Sequence, residues 1–330
     1  MNETVSPIRW GILGTGKIAR QFATGLGAIP DAHLAAVGSR AADTAGAFAD
    51  SFDIPRRHAS YEDLAADPDI DAVYVATPHP MHRDNSILCL EAGKAVLCEK
   101  PFTINAAQAD DVIAVARERG VFLMEAMWTR FLPAIVKVRQ WLDDGAIGDV
   151  RMVQADFGFR AGFDPQGRLF DPNLGGGALL DVGIYVLSFA SMVLGPEPVA
   201  IESTAEIGDT GVDEQSAFLL RYETGQLAVL SCAVRTTTPV EARIIGTDGH
   251  IYVHGPFFKA TTVTMKSGDN KTHLELPMAG NGYNYEAVEV AECLRAGKLE
   301  SDVMPLAETR ALVDVMDRIR AQWGVKYPME

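Results

Sequence analysis

An apolar stretch near the middle of the chain, residues 175–195, reads GGGALLDVGIYVLSFASMVLG and carries two polar side chains, Asp181 and Tyr185. On a helix, a spacing of four residues places two side chains on one face, so that both can meet the same bound molecule. A phenol can exchange a proton with an alcohol, and a carboxylate accepts hydrogen bonds from hydroxyl groups. The pair therefore indicates chemistry on a hydroxylated substrate. The alternatives are that Asp181 stabilises the helix N-terminus and that Tyr185 is a core phenol.

Oxidation of an alcohol needs a hydride acceptor and a base, and a free tyrosine, with a pKa of about 10, is a weak base at neutral pH. A neighbouring ammonium group lowers the pKa of a phenol. The sequence Cys98-Glu99-Lys100-Pro101 supplies Lys100 directly after a predicted strand, at the edge where open α/β sheets bind ligands. Pro101 also keeps Lys100 out of helical backbone angles. We therefore predict that Lys100 assists Tyr185; the alternative is a surface lysine beside a turn proline.

A glycine-rich loop near the N-terminus could bind the hydride acceptor. Residues 14–19 read GTGKIA, a G-x-G-x-x-A pattern directly after the first predicted strand. Gly14 permits a tight turn, Gly16 lets the main chain approach a pyrophosphate, and Ala19 allows close helix packing. The pattern alone also fits an ordinary turn, but the strand before it and the helix after it favour a dinucleotide. The predicted cofactor-binding residues of this loop are Gly14, Thr15, Gly16, Lys17 and Ile18.

The end of the second predicted strand indicates which dinucleotide binds. An acidic residue there would accept hydrogen bonds from the ribose of NAD, but this chain has Gly38-Ser39-Arg40. A guanidinium and a hydroxyl suit a 2′-phosphate, and a charge-assisted contact of about 1.5–3 kcal/mol favours NADP by about 10- to 100-fold. We therefore predict NADP, with NAD the less favoured cofactor and Ser39 and Arg40 as ligands. The alternative is that Arg40 is a solvated loop arginine.

Two further segments are candidates for the cofactor and substrate sites. Residues 76–82, ATPHPMH, follow a predicted strand and could line the nicotinamide half of the cleft, although His82 could equally be structural or a helix cap. In the MWTRF segment, Trp128 could stack on a sugar ring or could pack between domains. The additional cofactor candidates are Thr77, Pro78, His82, Glu99 and Lys100. The substrate candidates are Trp128, Arg130, Phe157, Arg160 and Asp181.

The elements that must position these residues divide into two types. Up to residue 125, short apolar runs alternate with helical patterns, which is typical of a doubly wound parallel sheet. We therefore predict an N-terminal Rossmann domain over residues 1–125. Helices are expected from Met81 to Gly93 and from Asn105, as cap, to Gly120. The predicted strands are Arg9–Leu13, Leu34–Gly38, Ala72–Ala76, Ala95–Cys98 and Val121–Met124.

Residues 126–330 show a different order of predicted elements. After a helix ending near Asp144, turn signals at 222–226, 247–250 and 267–270 each separate two β-rich runs. A closing helix is expected from Pro305 to Gly324. We therefore predict an α+β domain with a predominantly antiparallel, open-faced sheet that binds substrate and pairs with a second copy of the chain. The fold class is α/β, with both domains in one chain of 330 residues.

The charge balance and cysteine pattern exclude several classes of protein. With 29 Lys and Arg against 44 Asp and Glu, the formal net charge is −15, which disfavours nucleic acid as a partner. The N-terminus lacks the pattern of a signal peptide, and the short uncharged run after Asp181 is read as core rather than as a membrane span. The four cysteines lack metal-binding or disulfide spacing, so no metal site is predicted. A cytoplasmic location fits these features.

The motif set GTGKIA, EKP and GGGALLDVGIY resembles the Gfo/Idh/MocA oxidoreductase family over nearly the whole chain. Most members have His where this chain has Tyr185. The tyrosine and the segment MEAMWTRFLP resemble the branch with dimeric dihydrodiol dehydrogenase and NADP-dependent D-xylose dehydrogenases. The resemblance implies that Tyr185 is the general acid/base, Lys100 its electrostatic partner and Asp181 a substrate ligand. It also implies a cis bond before Pro101 and a homodimer.

The leading hypothesis is therefore an NADP-dependent dehydrogenase of a ring carbinol in a cyclic sugar or a trans-diol, such as C1 of D-xylose or glucose going to a lactone. One alternative is a reductase of a sugar ketone of the anhydrofructose or inosose type. The other is a non-catalytic NADP-binding regulator, since a fold does not by itself imply turnover. A sensor would need neither Lys100 nor Tyr185, which favours an enzyme.

Overall fold

The computed structural model describes residues 6–330, which form an α/β protein of two compact units. The first unit contains the chain up to Thr103, Ala107–Trp128 and Ala279–Leu306. The second contains Ile104–Ala106, Thr129–Met278 and Ala307–Glu330. The chain thus leaves the first unit near the predicted boundary at 125, but it returns to that unit once.

The first unit is built on a six-stranded, fully parallel sheet with strand order β3-β2-β1-β4-β5-β6. This is the predicted doubly wound arrangement. The strands are β1 (Ile8–Leu13), β2 (Ala32–Gly38), β3 (Arg56–His58), β4 (Ala72–Val75), β5 (Ala95–Glu99) and β6 (Leu123–Ala126). The helices between them are α1 (Lys17–Leu26), α2 (Ala42–Phe52), α3 (Tyr61–Ala65), α4 (His82–Glu91) and α5 (Ala106–Arg119).

Two strand predictions in this unit need correction. Strand β3 was not predicted, because its sequence, Arg-Arg-His, is short and polar, as an edge strand can be. Strand β6 begins two residues later than predicted, because the Val121 N–H still bonds back to the Ala116 carbonyl of α5. The expected strand positions are otherwise confirmed. Because β4 and β5 are buried along their whole length, they carry no alternating pattern.

A late segment of the chain also belongs to the first unit, although the sequence placed all of 126–330 in the second domain. Helix α8 (Tyr283–Arg295) packs against α1, where Gly25 leaves room for the loop before α8. The Asn281 amide also donates to the Gln21 carbonyl of α1 at 2.7 Å. Contacts between such distant parts of the chain leave no local pattern in the sequence.

The second unit contains an eight-stranded sheet with order β14-β13-β12-β11-β7-β10-β9-β8. Only β7 and β10 pair in parallel, so the sheet is predominantly antiparallel as predicted. The three predicted turns connect β9 to β10, β11 to β12 and β13 to β14. The strands are β7 (Val150–Gly158), β8 (Ala200–Ile207), β9 (Asp213–Arg221), β10 (Leu227–Ala233), β11 (Ala242–Gly246), β12 (Gly249–Val253), β13 (Thr262–Ser267) and β14 (Asn270–Glu275). The helices are α6 (Pro133–Asp143), α7 (Ile184–Leu194) and α9 (Leu306–Trp323).

Helix α7 packs on β7 and β10, and the opposite face of the sheet is open. Along β9 buried and exposed residues alternate, and Leu219 on the open face is 41% exposed, next to Val229 of β10. The segment Pro172–Leu194, which includes α7, is long and apolar enough to span a membrane by composition, but 83% of its window is buried inside the protein. That burial is typical of a core helix of a globular protein.

Candidate active site

The glycine loop after β1 has the backbone geometry of a phosphate-binding turn. Gly14 has φ +106°, and a Cβ there would lie 2.8 Å from the Ala76 carbonyl oxygen, so no other residue fits. A Cβ on Gly16 would meet no atom within 4 Å, which leaves open space beside the first turn of α1. Free N–H groups and the helix dipole favour an anion at such a terminus. The loop therefore fits the pyrophosphate of a dinucleotide.

The remaining loop residues differ in exposure. Gly16 and Lys17 are exposed, whereas Thr15 and Ile18 are half-buried. Ala19 is fully buried, as expected for the residue that packs the helix against the sheet. Below it, the Phe22 ring stacks on Tyr74 of β4 with centroids 3.8 Å apart, which fixes α1 on the sheet.

The end of β2 presents hydroxyl groups and a guanidinium where an NAD-type site has a carboxylate. Ser39 is buried, and its Oγ lies 2.6 Å from Thr44 Oγ1 at the start of α2. Arg40 is exposed and interacts with the hydroxyl of Tyr61 at the start of α3. Burial raises the pKa of Tyr61, while the Arg40 charge lowers it, so the phenol stays neutral at physiological pH. Thr44 and Tyr61 were not predicted, because they lie on helices beyond the loop.

His82 has a structural position in the first unit. Its ring is fully buried, with Nδ1 2.8 Å from the Pro101 carbonyl oxygen and Nε2 2.9 Å from the Thr77 carbonyl oxygen. Burial lowers its pKa, so the ring is neutral and donates to one of the two carbonyls. His82 therefore joins the loop after β4 to the turn after β5. Thr77 is also buried and accepts from the Asn85 amide at 2.9 Å, whereas Pro78 is exposed.

The turn after β5 is held by buried carboxylates. The bond between Lys100 and Pro101 is cis, which confirms the expectation from the family resemblance. Glu99 Oε2 accepts from the Lys100 N–H at 3.1 Å, and Glu99 Oε1 accepts from the Tyr74 hydroxyl. Glu125 Oε1 accepts from the Phe102 N–H at 3.1 Å, on the far side of the proline. The Lys100 side chain is half-buried. The hydrogen bonds to the Lys100 N–H and to the Phe102 N–H fix the main chain before and after the cis bond.

A third buried acid lies near this turn. Glu286 of α8 is fully buried, and burial, followed by the negative charge of Glu99, raises its pKa well above the usual value. A neutral Glu286 avoids placing two negative charges together in the interior. On the same helix, Tyr283 stacks on Trp128 with ring centroids 4.4 Å apart. Trp128 is only 3% exposed, and one of its two ring faces packs on the Tyr283 ring. That face is therefore already covered by the protein.

In the second unit, Asp181 and Tyr185 lie in two different kinds of helical turn. Asp181 belongs to a π-helical turn, Leu179–Gly183, which runs directly into α7, where Tyr185 is the second residue. The two side chains are four residues apart across the junction of these turns, and their meeting with one bound molecule stays a prediction. Both residues are buried, with Asp181 6% and Tyr185 7% exposed. The π turn was not predictable from the spacing of the polar residues.

The Asp181 carboxylate pairs with an arginine that the sequence analysis did not single out. Arg168 Nη1 lies 2.6 Å from Asp181 Oδ1 and comes from the loop after β7. The Arg168 side chain is 61% exposed, while that of Asp181 is 8% exposed. An exposed guanidinium therefore covers a buried carboxylate, an arrangement that a bound hydroxyl group can join or displace. A single loop arginine gives no sequence signal for this role.

An aromatic wall, formed by Phe157 and Phe258, stands beside the Tyr185 ring. The two phenylalanines stack with centroids 4.4 Å apart, and they lie 5.4 and 5.6 Å from Tyr185 respectively. Phe157 was a predicted substrate candidate, whereas Phe258 was missed. Thr129 Oγ1 donates to the Phe258 carbonyl at 2.7 Å and fixes its loop. The phenol is thus bounded by apolar ring surface.

The other two candidates have different surroundings. Arg130 is buried and donates to the Ser188 carbonyl at 2.9 Å and to Glu308 at 2.5 Å, which ties it to α7 and α9. A buried guanidinium with a carboxylate partner is a structural feature of this unit. Arg160 is exposed and forms an isolated β-bridge with Arg235. Arg160 is therefore positioned by main-chain pairing.

The sequence matches two family models and a set of characterised relatives. Residues 8–127 match the model described as "Oxidoreductase family, NAD-binding Rossmann fold" (GFO_IDH_MocA), and residues 135–252 match the "GFO/IDH/MocA C-terminal domain". Trans-1,2-dihydrobenzene-1,2-diol dehydrogenase of Mus musculus is 41% identical over 334 residues, which cover 98% of this chain and 99% of the relative. The enzyme of the same name from Homo sapiens is 39% identical over 336 residues, with the same coverage.

Solved structures show the same architecture. KijD10, a 3-ketoreductase from Actinomadura kijaniata solved with NADP and TDP-benzene, superposes with a TM-score of 0.84 at 29% identity, covering 96% of this chain and 98% of its own. The aldose-aldose oxidoreductase from Caulobacter crescentus, solved with glycerol, superposes with a TM-score of 0.87 at 27% identity and the same coverage. The similarity therefore extends over both units.

Proposed function

Because the chain belongs to the Gfo/Idh/MocA oxidoreductase family, we propose that it is an NADP-dependent dehydrogenase of a ring carbinol in a trans-diol or a cyclic sugar. The coarser assignment, an oxidoreductase of sugars or diols, follows from the relatives. The observation that carries the finer proposal is the Tyr185 phenol, buried beside the aromatic wall, four residues after Asp181.

Tyr185 serves as the general acid/base in this proposal. When the carbinol is oxidised, its hydride leaves with two electrons and its hydroxyl proton must pass to a base. Bound NADP⁺ supplies the hydride acceptor. Lys100 is the electrostatic partner in this proposal, because an ammonium group beside a phenol favours the phenolate, and the fixed main chain around the Lys100–Pro101 bond supports this role. The reverse reaction uses the same groups, with the phenol donating the proton.

The choice of NADP rests on the residues after β2. Arg40, Tyr61, Ser39 and Thr44 offer a guanidinium and three hydroxyl groups, which suit the oxygens of a 2′-phosphate. The related 3-ketoreductase was solved with NADP. The glycine loop, Gly14–Ile18, would hold the pyrophosphate, and the segment around Thr77 and Pro78 would line the nicotinamide side.

The aromatic wall favours a substrate with an apolar ring face. Phe157 and Phe258 present stacked rings next to Tyr185, and stacking on such a surface suits a cyclohexadiene ring or the C–H face of a pyranose. Asp181 and Arg168 together can accept and donate hydrogen bonds to a second hydroxyl group. A trans-diol combines both features in one molecule, and it is the substrate named for the diol dehydrogenase relatives.

A ketoreductase is the second candidate, because the KijD10 relative is a 3-ketoreductase. The regulator hypothesis is not retained, since the named relatives are dehydrogenases.

We also propose that two copies pair through the open sheet face, where Leu219 and Val229 are 41% and 42% exposed. Sedimentation should give a dimer that Leu219→Lys dissociates and Val199→Lys, outside this face, does not. The cytoplasmic location stays a prediction.

The experiment that tests the proposed function is a turnover assay. The protein is mixed with NADP⁺ or NAD⁺ and with trans-1,2-dihydrobenzene-1,2-diol, D-xylose or D-glucose, and the reduced nicotinamide is followed by its absorbance. Turnover with NADP⁺ and the diol or an aldose is expected. Reduction of a ketone by NADPH without detectable oxidation of any of these alcohols would favour the ketoreductase instead.

A further inference from the structure

Asp213, the first residue of β9, is a buried carboxyl group that the proposed reaction does not use. It is 0% exposed and lies 34 residues beyond Leu179 in sequence, yet its Oδ2 accepts from the Leu179 N–H at 2.7 Å. Leu179 is the first residue of the π turn that carries Asp181. The carboxyl group therefore bonds the main chain where this turn begins.

The second oxygen of Asp213 has an unusual environment. Among residues 6–330, Oδ1 has no partner at normal hydrogen-bond geometry; the Ser216 hydroxyl lies 3.1 Å from Cys232 Sγ and also interacts with the Asp213 carboxyl group, which lowers its pKa. A Cβ on Gly177 would lie only 2.4 Å from Oδ1, and Gly177 has φ +113°. The main chain of the glycine run, residues 175–177, therefore passes so close to this oxygen that a side chain at position 177 does not fit. A larger residue at position 177 would meet the carboxyl group and would be strained in its backbone.

The glycine run is also held from the C-terminal segment. The Tyr327 hydroxyl donates to the Gly176 carbonyl at 2.5 Å, and the Gly177 N–H donates to the Leu169 carbonyl at 2.9 Å. The Asp181 N–H in turn bonds the Gly177 carbonyl at 3.3 Å. The main chain is therefore continuous in its hydrogen bonds from the loop that carries Arg168, through the glycine run, to Asp181.

We propose that Asp213 is a positioning residue for Asp181, and that it sets the substrate hydroxyl site by fixing the start of the π turn. This inference rests on the proposed function, because Asp181 is assigned to the substrate there. Asp213 does not touch the reacting atoms. It acts through the Leu179 N–H, and loss of that bond lets the turn, with the Asp181 carboxylate, move relative to the Tyr185 phenol.

The charge of Asp213 should matter, because an ionised carboxylate makes a stronger bond to an N–H than a neutral acid does. Burial raises the pKa of Asp213 to about 7, against the opposing effects of the Leu179 N–H and the Arg320 charge. The other titratable groups that interact with it are the Cys232 thiol and the Tyr327 phenol, and burial raises the pKa of each, so both remain neutral. Asp213 is therefore the group of this cluster that titrates near neutral pH.

The test compares Asp213→Asn with wild type and with Asp209→Asn, an exposed control in the preceding loop. Asparagine keeps the shape and one acceptor oxygen but cannot ionise. We expect the KM for the diol to rise about 10-fold above pH 7 with kcat changed less than about 3-fold, in line with the loss of one charge-assisted bond. The wild-type KM should change with pH around 7, whereas the variant KM should be flat. A variant KM that keeps the wild-type value and pH dependence would overturn the proposal.

A second measurement keeps the inference separate from the proposed function and from any failure of the variant to fold. Amide hydrogen exchange of the segment 178–184 in the wild-type protein is measured from pH 6 to 8 and corrected for the intrinsic rate. Protection against local opening of this turn, in which Asp213 stays buried, should increase as Asp213 ionises, because the Leu179 N–H lowers the pKa of Asp213 and so bonds the carboxylate more strongly than the acid. If the wild-type protein turns over none of the alcohols, the function fails, but a protection step near pH 7 would still support the Asp213 anchor. Protection that is flat across this range would overturn it, whatever the activity.

Discussion

The first unit fixes its glycine loop mainly through the main chain of the loop itself, whereas the second unit surrounds Asp181 and Tyr185 with side chains that are distant in sequence. Gly14 is required by its own φ angle and by the neighbouring strand end, and Lys100 follows a strand and a cis bond. Asp181, in contrast, depends on Asp213 and Arg168, from a strand and a loop. Local sequence therefore determines the geometry of the candidate cofactor loop, whereas tertiary contacts determine the surroundings of Asp181 and Tyr185.

The difference predicts where substitutions act. Apart from Lys100, which is assigned to the chemical step, a change at a cofactor residue of the first unit should alter cofactor binding without changing how the substrate is held. A change in the second unit should alter the chemical step or the substrate KM without changing the affinity for NADP. Tyr185 gives the largest expected effect and the strictest test of this separation.

Replacement of Tyr185 by Phe removes the proton acceptor and leaves the ring beside the aromatic wall. We expect kcat to fall by about 10²–10⁴-fold, because general base catalysis contributes that much. The dissociation constant of NADP⁺, measured by fluorescence titration, should not change. Tyr222→Phe, which also removes a buried phenol of the second unit, should keep the wild-type kcat. A rate in Tyr185→Phe equal to that of Tyr222→Phe would remove Tyr185 from its proposed role.

The sequence predicted the first unit more completely than the second for physical reasons. The strand, glycine loop and helix around Gly14 follow one another along the chain, so their geometry is written in adjacent residues. Arg168 and Phe258 acquire their roles only when their loops fold against Asp181 and Tyr185 respectively, and neither has a neighbour in sequence that indicates this. The π turn at Asp181 likewise depends on Asp213, a contact that residue spacing cannot reveal.

His82 and Arg130 show the same limit from the opposite side. Both have side chains capable of site chemistry, and both were predicted as site residues. His82 is buried between two carbonyl groups, and Arg130 is paired with Glu308. Whether such a side chain faces a ligand or the interior depends on partners that are far away along the chain.

Asp213→Asn should also change the pH dependence of stability. The folded pKa of about 7 lies above the usual value of 3.8, so between these pH values the folded state holds a proton that the unfolded state has lost. Raising the pH through this window therefore destabilises wild type, by up to about 4 kcal/mol, and the penalty is complete above about pH 7. Asparagine has no such penalty. In urea unfolding, the free energy of unfolding of the variant relative to wild type should be higher at pH 7.5 than at pH 4.5. A difference that is the same at both pH values would contradict the raised pKa.

Arg40→Ala tests the first unit in the same way. Removal of the guanidinium should weaken NADP⁺ by about 10- to 100-fold, because a charge-assisted contact to the 2′-phosphate is lost. The affinity for NAD⁺ and the KM for the diol should stay within about 2-fold. Arg57→Ala, which removes an exposed arginine paired with Asp50 in the same unit, is the control. Equal losses for both dinucleotides would show that Arg40 does not read the phosphate.

The smallest effect is expected for Arg168→Gln, which separates the exposed partner of Asp181 from the buried anchor. The Arg168 side chain is 61% exposed, so solvent screens its pair with Asp181 and the interaction is worth little. We expect the KM for the diol to rise by about 2- to 5-fold, with less difference from wild type at high salt. Arg151→Gln, an exposed arginine of β7 that pairs with Asp149, should leave the KM unchanged. If Arg168→Gln instead raised the KM more than Asp213→Asn does, the loop pair rather than the strand anchor would set the position of Asp181, and the dependence of the second unit on its buried contacts would be reversed.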